Sequence, residues 1–440
     1  MEPFIHLHVH TQYSLLDGQA SIDALIDKAQ KDGMNAIAVT DHGNMFGIKE
    51  FFNKVSKKNG KPLGAIKDLE KEQKALKGKE ALSTEEQARL QEIPSLIEAE
   101  KKKIFKPIIG CECYCARNGR HNKTAKEDRS GYHLIVLAKN LNGYKNLIKM
   151  VSISWTEGFY GRPRIDHELL EKYHEDLIIC SACLGGEIPQ HIMHDRIDKA
   201  EESILWFKKL FGEDYYLEMQ RHETHDPNAD CTTYPKQQEV NKVLIELARK
   251  HNVKLIATND VHFVNQEDAE AHDRLICLST GKDLDDPTRM RYSKQEWMKT
   301  TAEMNAIFAD IPEALSNTLE IADKVGFYSI DSGPIMPTFA IPEDFGTEES
   351  YREKFSEQDL FEEFTRDENG NVVLSEEDAK DKIKKLGGYD KLYRIKLEAD
   401  YLKKLTYDGA KICYGDNLND EVRERLDFEL HIMKTMGFPG

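Results

Sequence analysis

"FIHLHVHTQYSLLDG", residues 4–18, decides how the rest of this chain is read. His6, His8 and His10 stand at alternate positions in a run of Ile, Leu and Val. Side chains two apart in a strand share a face. The spacing therefore predicts three imidazoles on one side, with Leu7 and Val9 on the other. One such histidine is ordinary core. Three on one face need partners once buried, and a metal ion held by neutral imidazoles supplies them. The stretch leaves two readings, a metal site or a strand with tolerated polar residues, and the remaining sequence has to choose.

Moving outward, β-rich runs recur up to about residue 280, each followed by a polar or helical stretch. They are 4–10, "AIAVTD" at 36–41, "KPIIGCECYCA" at 106–116, "YHLIVLA" at 132–138, "DLIICSACL" at 176–184, "YYLEMQRH" at 215–222 and "KLIATNDVHF" at 254–263. Several are almost continuously apolar, as parallel strands covered on both faces are. Between them lie helical patterns such as 21–33, with Ser21 as N-cap and Gly33 just past the end, and 234–252. Strand alternating with helix predicts an α/β architecture, either a closed barrel or an open doubly wound sheet.

Residues 57–105 break the theme. They are highly charged, with apolar residues at helical spacing, and Ser83-Thr84 reads as the cap of a second helix. A helical hairpin inserted on the surface is expected, as a solvated excursion or a partner-docking arm. Beyond residue 285 the pattern turns helical, with Pro312 near a helix start, then passes through the Pro/Gly-rich "SGPIMPTFAIPEDFG" at 332–346. The expected organisation is 1–285 as the barrel, 286–346 as a helical segment and connector, and 347–440 as a charged helical region. The chain stops at an apolar "MGFPG", which reads as a fragment of something longer.

Composition fits an ordinary globular protein: 440 residues, 40% hydrophobic and 32% charged. No run is long and apolar enough to span a membrane, and the N-terminus lacks a signal pattern. Eight cysteines without a regular framework suit reduced thiols in a cytoplasm. The net charge of −17 argues against the whole chain being a nucleic-acid-binding surface, while leaving room for a local basic patch.

The polar residues then concentrate at the ends of the runs: His8, His10 and Asp17; Asp41 and His42; Glu112; His133; Cys183; Asp260 and His262. Catalytic residues of parallel barrels collect at C-terminal strand ends, and these side chains are the ones that hold Zn, Mn or Fe. His6, two residues deeper than His8, reads as support rather than ligand, and His222 as a weak candidate. The triplet Cys111, Cys113 and Cys115 has period two, so it faces away from Glu112 and packs as small hydrophobes. "CSAC" at 180–183 lies inside a β run without a second such pair, so a structural zinc knuckle is not expected.

"HLHVHTQYSLLDG", "AVTDHGNMFG", "KPIIGCE", "HLIVLAKN", "SACLGGEIP" and "ATNDVHF" together resemble the PHP (polymerase and histidinol phosphatase) superfamily. They are most similar to the version carried by the alpha subunits of bacterial replicative DNA polymerase III. The similarity continues through "EGFYGRPRID", "DDPTRMRYS", "FADIPEALSNTLEIADKV" and "LDFELHIMKTMGFPG". It implies a distorted seven-stranded (β/α)7 barrel with up to three divalent metal ions. The implied ligands are His8, His10, Asp17, His42, Glu112, His133, Cys183, Asp260 and His262. One ion would use His8, His10, Glu112 and Asp260; a second, Glu112, His133 and Cys183; a third, Asp17, His42 and His262.

Asp41 joins His6 and His222 as outer support, and Glu112, Asp260 and His262 are the catalytic candidates. The implied chemistry is phosphoester hydrolysis, as a 3′–5′ proofreading exonuclease. The rivals are a free phosphoesterase of histidinol-phosphatase type and a silent metal scaffold that docks replication partners. The implied parent binds DNA and replisome subunits such as clamp and proofreading partners. No palm with paired aspartates is present in these 440 residues, so DNA synthesis is not expected of them.

Overall fold

The computed structural model describes residues 1–79, 81–333, 339–367 and 370–440. They form two units, Met1–Asp331 and Ser332–Gly440. In the first, the β-rich runs become β1 (Ala36–Val39), β2 (Lys106–Cys115), β3 (Tyr132–Ala138), a two-residue β4 (Arg164–Ile165), β5 (Leu177–Cys180), β6 (Tyr215–Met219) and β7 (Lys254–Ala257). Their order is β1-β2-β3-β5-β6-β7, with β4 on β2. This is the distorted α/β barrel that the sequence implies.

Two features depart from the all-parallel expectation. β3 runs antiparallel to both β2 and β5, so its start, not its end, lies at the rim where the parallel strands finish. His133, second in β3, reaches the site for that reason. Residues 4–10 also fail to form a regular strand: the only bridge is Val9 with Val261. They close the ring by hydrogen bonds to both neighbours, Ala38 N to His6 O (2.9 Å) and Thr40 N to Val9 O (2.9 Å) on one side. On the other, His10 N reaches Val261 O (2.7 Å) and Val261 N reaches His8 O (3.1 Å).

Alternation in the strands divides the core. Ile5, Leu7, Ala38, Ile108, Ile135, Leu137, Ile178 and Tyr216 pack together with Ile321 and Ala322 of the helix Glu313–Lys324. Val9, Ile109, Cys111, Cys113, Cys115 and Val136 pack with the surrounding helices. Burial of this kind contributes roughly 25 cal/mol per Å² of apolar surface. The cysteine triplet is therefore core on the helix side, while Leu7 and Val9 fall in different clusters, so the expected strict two-face alternation of residues 4–10 is lost.

Helix ends follow the local signals. Ser21 caps Ile22–Lys31, and Gly33 follows it at φ +86°. The hairpin inserted between β1 and β2 is built from Ile48–Lys77 and Thr84–Lys101. Its first helix begins well before residue 57, because the apolar face of Phe51, Phe52 and Val55 continues the turn begun at Ile48. Ser83 and Glu86 form a reciprocal capping box. A satellite core of Ile66, Leu76, Ile93 and Ile97 holds the two helices together.

The second unit is helical apart from connecting segments, with a core including Leu360, Phe364, Leu392 and Leu397. The centre of the predicted Pro/Gly-rich connector, 334–338, lies outside the described residues. No helix among the described residues is long and apolar enough to cross a membrane.

Candidate metal centre

The nine sequence-predicted residues gather at one end of the barrel, around Glu112. This carboxylate projects from the middle of β2 and is almost fully buried. Its Oε1 lies 2.7 Å from His133 Nδ1 and 3.4 Å from His8 Nε2, while Oε2 lies 3.5 Å from His10 Nε2 and contacts His42 Nδ1. Asp260 Oδ1 stands 3.0 Å from His8 Nε2 and 3.3 Å from His10 Nε2. Cys183 Sγ lies 3.5 Å from His133 Nδ1 and 4.0 Å from Glu112 Oε1. Asp17 Oδ2 sits 3.0 Å from His42 Nε2 and 3.9 Å from His262 Nε2.

Within this cluster, among the described residues, three sets have ligand atoms all within 4.8 Å of one another: His8, His10 and Glu112; Glu112, His133 and Cys183; and His10, His42 and His262. The last set draws in His10, which the sequence had paired with His8.

Local backbone places these groups at a cost. Asp260 has φ +48°, and Leu16 (φ +60°) and Ala182 (φ +62°) immediately precede Asp17 and Cys183. Non-glycine residues rarely adopt this left-handed region, and such strain concentrates at functional sites. Gly18 is required beside Asp17, because a Cβ there would lie 2.1 Å from Thr11 O.

Five buried atoms of the cluster have no hydrogen-bond partner among the described residues: Nε2 of His8 and His10, Nδ1 of His42, Oε2 of Glu112 and Oδ1 of Asp260. Buried polar atoms are ordinarily satisfied. Here nitrogens and carboxylate oxygens converge at 3.0–3.5 Å without hydrogen-bond geometry. Cations held among these donors would give them partners. The donor set of imidazole, carboxylate and thiol fits Zn, Mn or Fe.

The electrostatics differ from donor to donor. Burial, reinforced by the neighbouring His42 and His262, lowers the His10 pKa to about 3 and keeps its Nε2 lone pair free. Burial works against the charged form of His8, yet Asp260 and Glu218 raise its pKa well above the usual imidazole value. Burial alone would raise Glu112, but His133 and His42 hold it well below the usual carboxylate range. Asp260 stays low despite burial because of His8 and His262. Burial pushes the Cys183 thiol up, with Asp260 and Glu112 adding to it.

The three support candidates differ. Asp41 acts next to the cluster: its Oδ1 accepts from Ser14 Oγ (2.7 Å), and Ser14 Oγ stands 2.9 Å from His10 Nδ1. His222 is one step further out, holding the Asn259 carbonyl beside Asp260 at 3.2 Å. His6 is buried elsewhere, with Nε2 2.7 Å from the Lys299 carbonyl.

Sequence reasoning missed Glu218, whose Oε1 lies 2.6 Å from His8 Nδ1, and Tyr292, whose hydroxyl donates to Asp17 Oδ1 at 2.8 Å. A lone acid in the middle of the apolar run "YYLEM" was the available signal for the first. Tyr292 lies in a loop and had none.

The mouth of the cluster is a cavity of about 230 Å³ lined by Asp17, His42, Tyr114, Phe46, Trp155, Phe159 and Arg162. Trp155 and Phe159 stack at 5.5 Å, Phe46 lies 6.3 Å from Trp155, and all three are exposed. Arg162 lies over the Tyr114 ring at 5.6 Å.

Residues 6–222 match the family described as "PHP domain". Along 99% of its length the chain is 39% identical to a DNA polymerase III subunit alpha of Borreliella burgdorferi, of which it covers 29%. It is 34% identical over 85% of its length to that of Treponema pallidum, covering 27% of it. It is 36% identical over 72% of its length to that of Thermus aquaticus, covering 22%. The chain thus spans less than a third of the length of these relatives.

Proposed function

Since the chain belongs to the PHP domain family through residues 6–222, we propose that its cluster binds two to three divalent ions and hydrolyses phosphodiesters at the 3′ end of DNA. The nine residues named from the sequence are the proposed ligands, with Glu112 shared between ions. The whole protein would be a bacterial replicative polymerase alpha subunit acting with DNA, clamp and proofreading partners in the cytoplasm.

The observation that carries hydrolysis over a structural role is the open side of the cluster. Structural metal sites are closed, whereas catalytic ones keep a face for substrate. Asp17, His133 and Cys183 are only partly buried, and Asp17 and His42 line the cavity at the mouth. When bound, paired divalent ions supply an acidified water and offset the charge of phosphoryl oxygens. Glu112 and Asp260 anchor the cluster from below. His10, held neutral, offers a lone pair, and Asp17 with Tyr292 orients the outer edge next to His262.

The aromatic rim favours a polynucleotide end over a small phosphate. Bases stack on exposed rings for roughly 1–3 kcal/mol each, and Arg162 is placed to meet a phosphate. Trp155 is itself fixed by donating to Gly43 O at 2.8 Å.

The test is hydrolysis of a 3′-labelled single-stranded oligonucleotide, beside a small phosphomonoester, with Zn, Mn or Fe supplied. Asp260→Asn is expected to abolish cleavage, and Trp155→Ala to raise KM for the oligonucleotide alone. Bound metal without cleavage would favour the scaffold, and preference for the small ester would favour the free phosphoesterase.

A further inference from the structure

The outer face of β2 carries a second group of ligating side chains, separate from the first. Cys115 ends β2 and is almost fully buried. His167 opens the helix His167–Tyr173, and Glu187 opens the helix Glu187–Met193. One sulfur, one nitrogen and one oxygen from these three lie within 4.8 Å of one another. By the strand's alternation Cys115 points opposite to Glu112 and Tyr114, so no ligand is shared with the first cluster.

Each donor is held in place. The His167 ring stacks on Trp206 at 4.0 Å and 12° between planes, and its Nε2 lies 3.2 Å from Glu187 Oε2. Ser203 Oγ donates to the other oxygen, Oε1, at 2.5 Å, the outer hydrogen bond that metal-ligating carboxylates receive. Four residues after Glu187, on the same helix face, His191 lines the same cavity as His167 and Glu187, and its buried Nδ1 has no hydrogen-bond partner. An ion pair between His167 and Glu187 accounts for two of these groups. It leaves unexplained a buried thiol beside both and the bare His191 nitrogen.

We propose that Cys115, His167 and Glu187 form a second transition-metal site suited to Zn²⁺, with His191 on the wall of the same cavity. One sulfur, one imidazole nitrogen and one carboxylate oxygen make a donor set of the kind zinc takes, with its fourth position toward the cavity that His191 lines. On binding, the Cys115 thiol releases its proton to solvent through the cavity beside His167, the sulfur lone pair bonds the ion, and nothing is oxidised or reduced. The site ties the end of β2 to the helix that follows the Cys183 loop. Gly186, just ahead of Glu187, donates to the Cys183 carbonyl at 2.9 Å, and His133 N donates to Gly185 O at 3.0 Å. A metal here therefore steadies two residues of the first cluster from the opposite face of the sheet.

Cobalt(II) is the probe, added to the full chain carrying Cys183→Ser so that the first cluster holds no thiol. A sulfur-to-cobalt charge-transfer band is expected, saturating near one equivalent and absent when Cys115→Ser is added. His167→Ala, at a partly exposed side chain where folding is not at stake, should weaken binding by more than about 100-fold, beyond what loss of an outer-shell partner alone gives. Absence of the band in the Cys183→Ser chain overturns the proposal. So does a band that survives Cys115→Ser.

Discussion

Replacing Glu218 with Gln tests how the cluster is tuned from outside. Glu218 Oε1 lies 2.6 Å from His8 Nδ1 and also accepts from Thr258 Oγ1 at 2.5 Å and Gln220 Nε2 at 3.1 Å. This fixes a proton of His8 on Nδ1 and turns its Nε2 toward Glu112 and Asp260. Gln is isosteric, and its amide nitrogen can occupy the position of Oε2, which has no hydrogen-bond partner, so folding should survive. The carboxylate's charge, which makes His8 a stronger base, is lost.

Outer-shell substitutions of this kind weaken metal binding by about 10- to 100-fold, or about 1.4–2.7 kcal/mol. Glu218→Ala should cost about 1–3 kcal/mol of stability besides, because it leaves a buried N–H unpaired. Competition for zinc with a chromophoric chelator measures the first effect, and thermal unfolding of the metal-free chain the second. An affinity for Glu218→Gln within about twofold of the parent chain, set against the 10- to 100-fold expectation, would refute the reasoning and leave Glu218 a packing residue.

Three further outcomes follow from the surroundings. Burial lowers the Lys299 pKa to about 7, so between pH 7 and its unfolded value the unfolded chain holds a proton that the folded chain lacks. Unfolding free energy should therefore rise with pH across that window, by up to about 1.4 kcal/mol per pH unit. Lys299→Met should flatten the slope in denaturant titrations at pH 7 and 9. Gly18→Ala drives a Cβ to 2.1 Å from Thr11 O; a loss of about 1–3 kcal/mol in thermal unfolding should come with selective loss of metal at Asp17 and His42. Arg164, buried and without a carboxylate partner among the described residues, donates to the carbonyls of Gly158, Asn122, Asp128 and Arg120. Arg164→Met strands those acceptors and should cost about 3 kcal/mol or more, read from the unfolding midpoint.

Much of this layout was legible in the sequence because strand ends and ligand chemistry are local. The apolar runs marked the strands, and His, Asp, Glu and Cys at their ends marked the residues that converge on Glu112. What was not legible depends on long-range placement. Nothing in "YHLIVLA" says that β3 runs backwards, so His133 was grouped with residues at C-terminal strand ends although it enters the site from the strand's start. The alternation of residues 4–10 was read too literally. Pinned between β1 and Val261 without a full ladder, the segment sends His6 to Lys299 while His8 and His10 reach the cluster. The Cys111–Cys115 triplet was rightly placed on the helix side, but the proximity of Cys115 to His167 and Glu187 joins three separate elements and has no sequence spacing to reveal it.

The central claim is that the converging orphaned donors exist to hold metal. Elemental mass spectrometry of the chain, purified without chelator or added metal, tests it when compared with Glu112→Gln at an unchanged far-ultraviolet spectrum. A difference of about two equivalents or more between the two chains is the predicted result, since Glu112 would be shared between the ions of a paired site. A difference below about half an equivalent, far short of a paired-ion site, would contradict it and make His8, His10 and their neighbours a buried polar core.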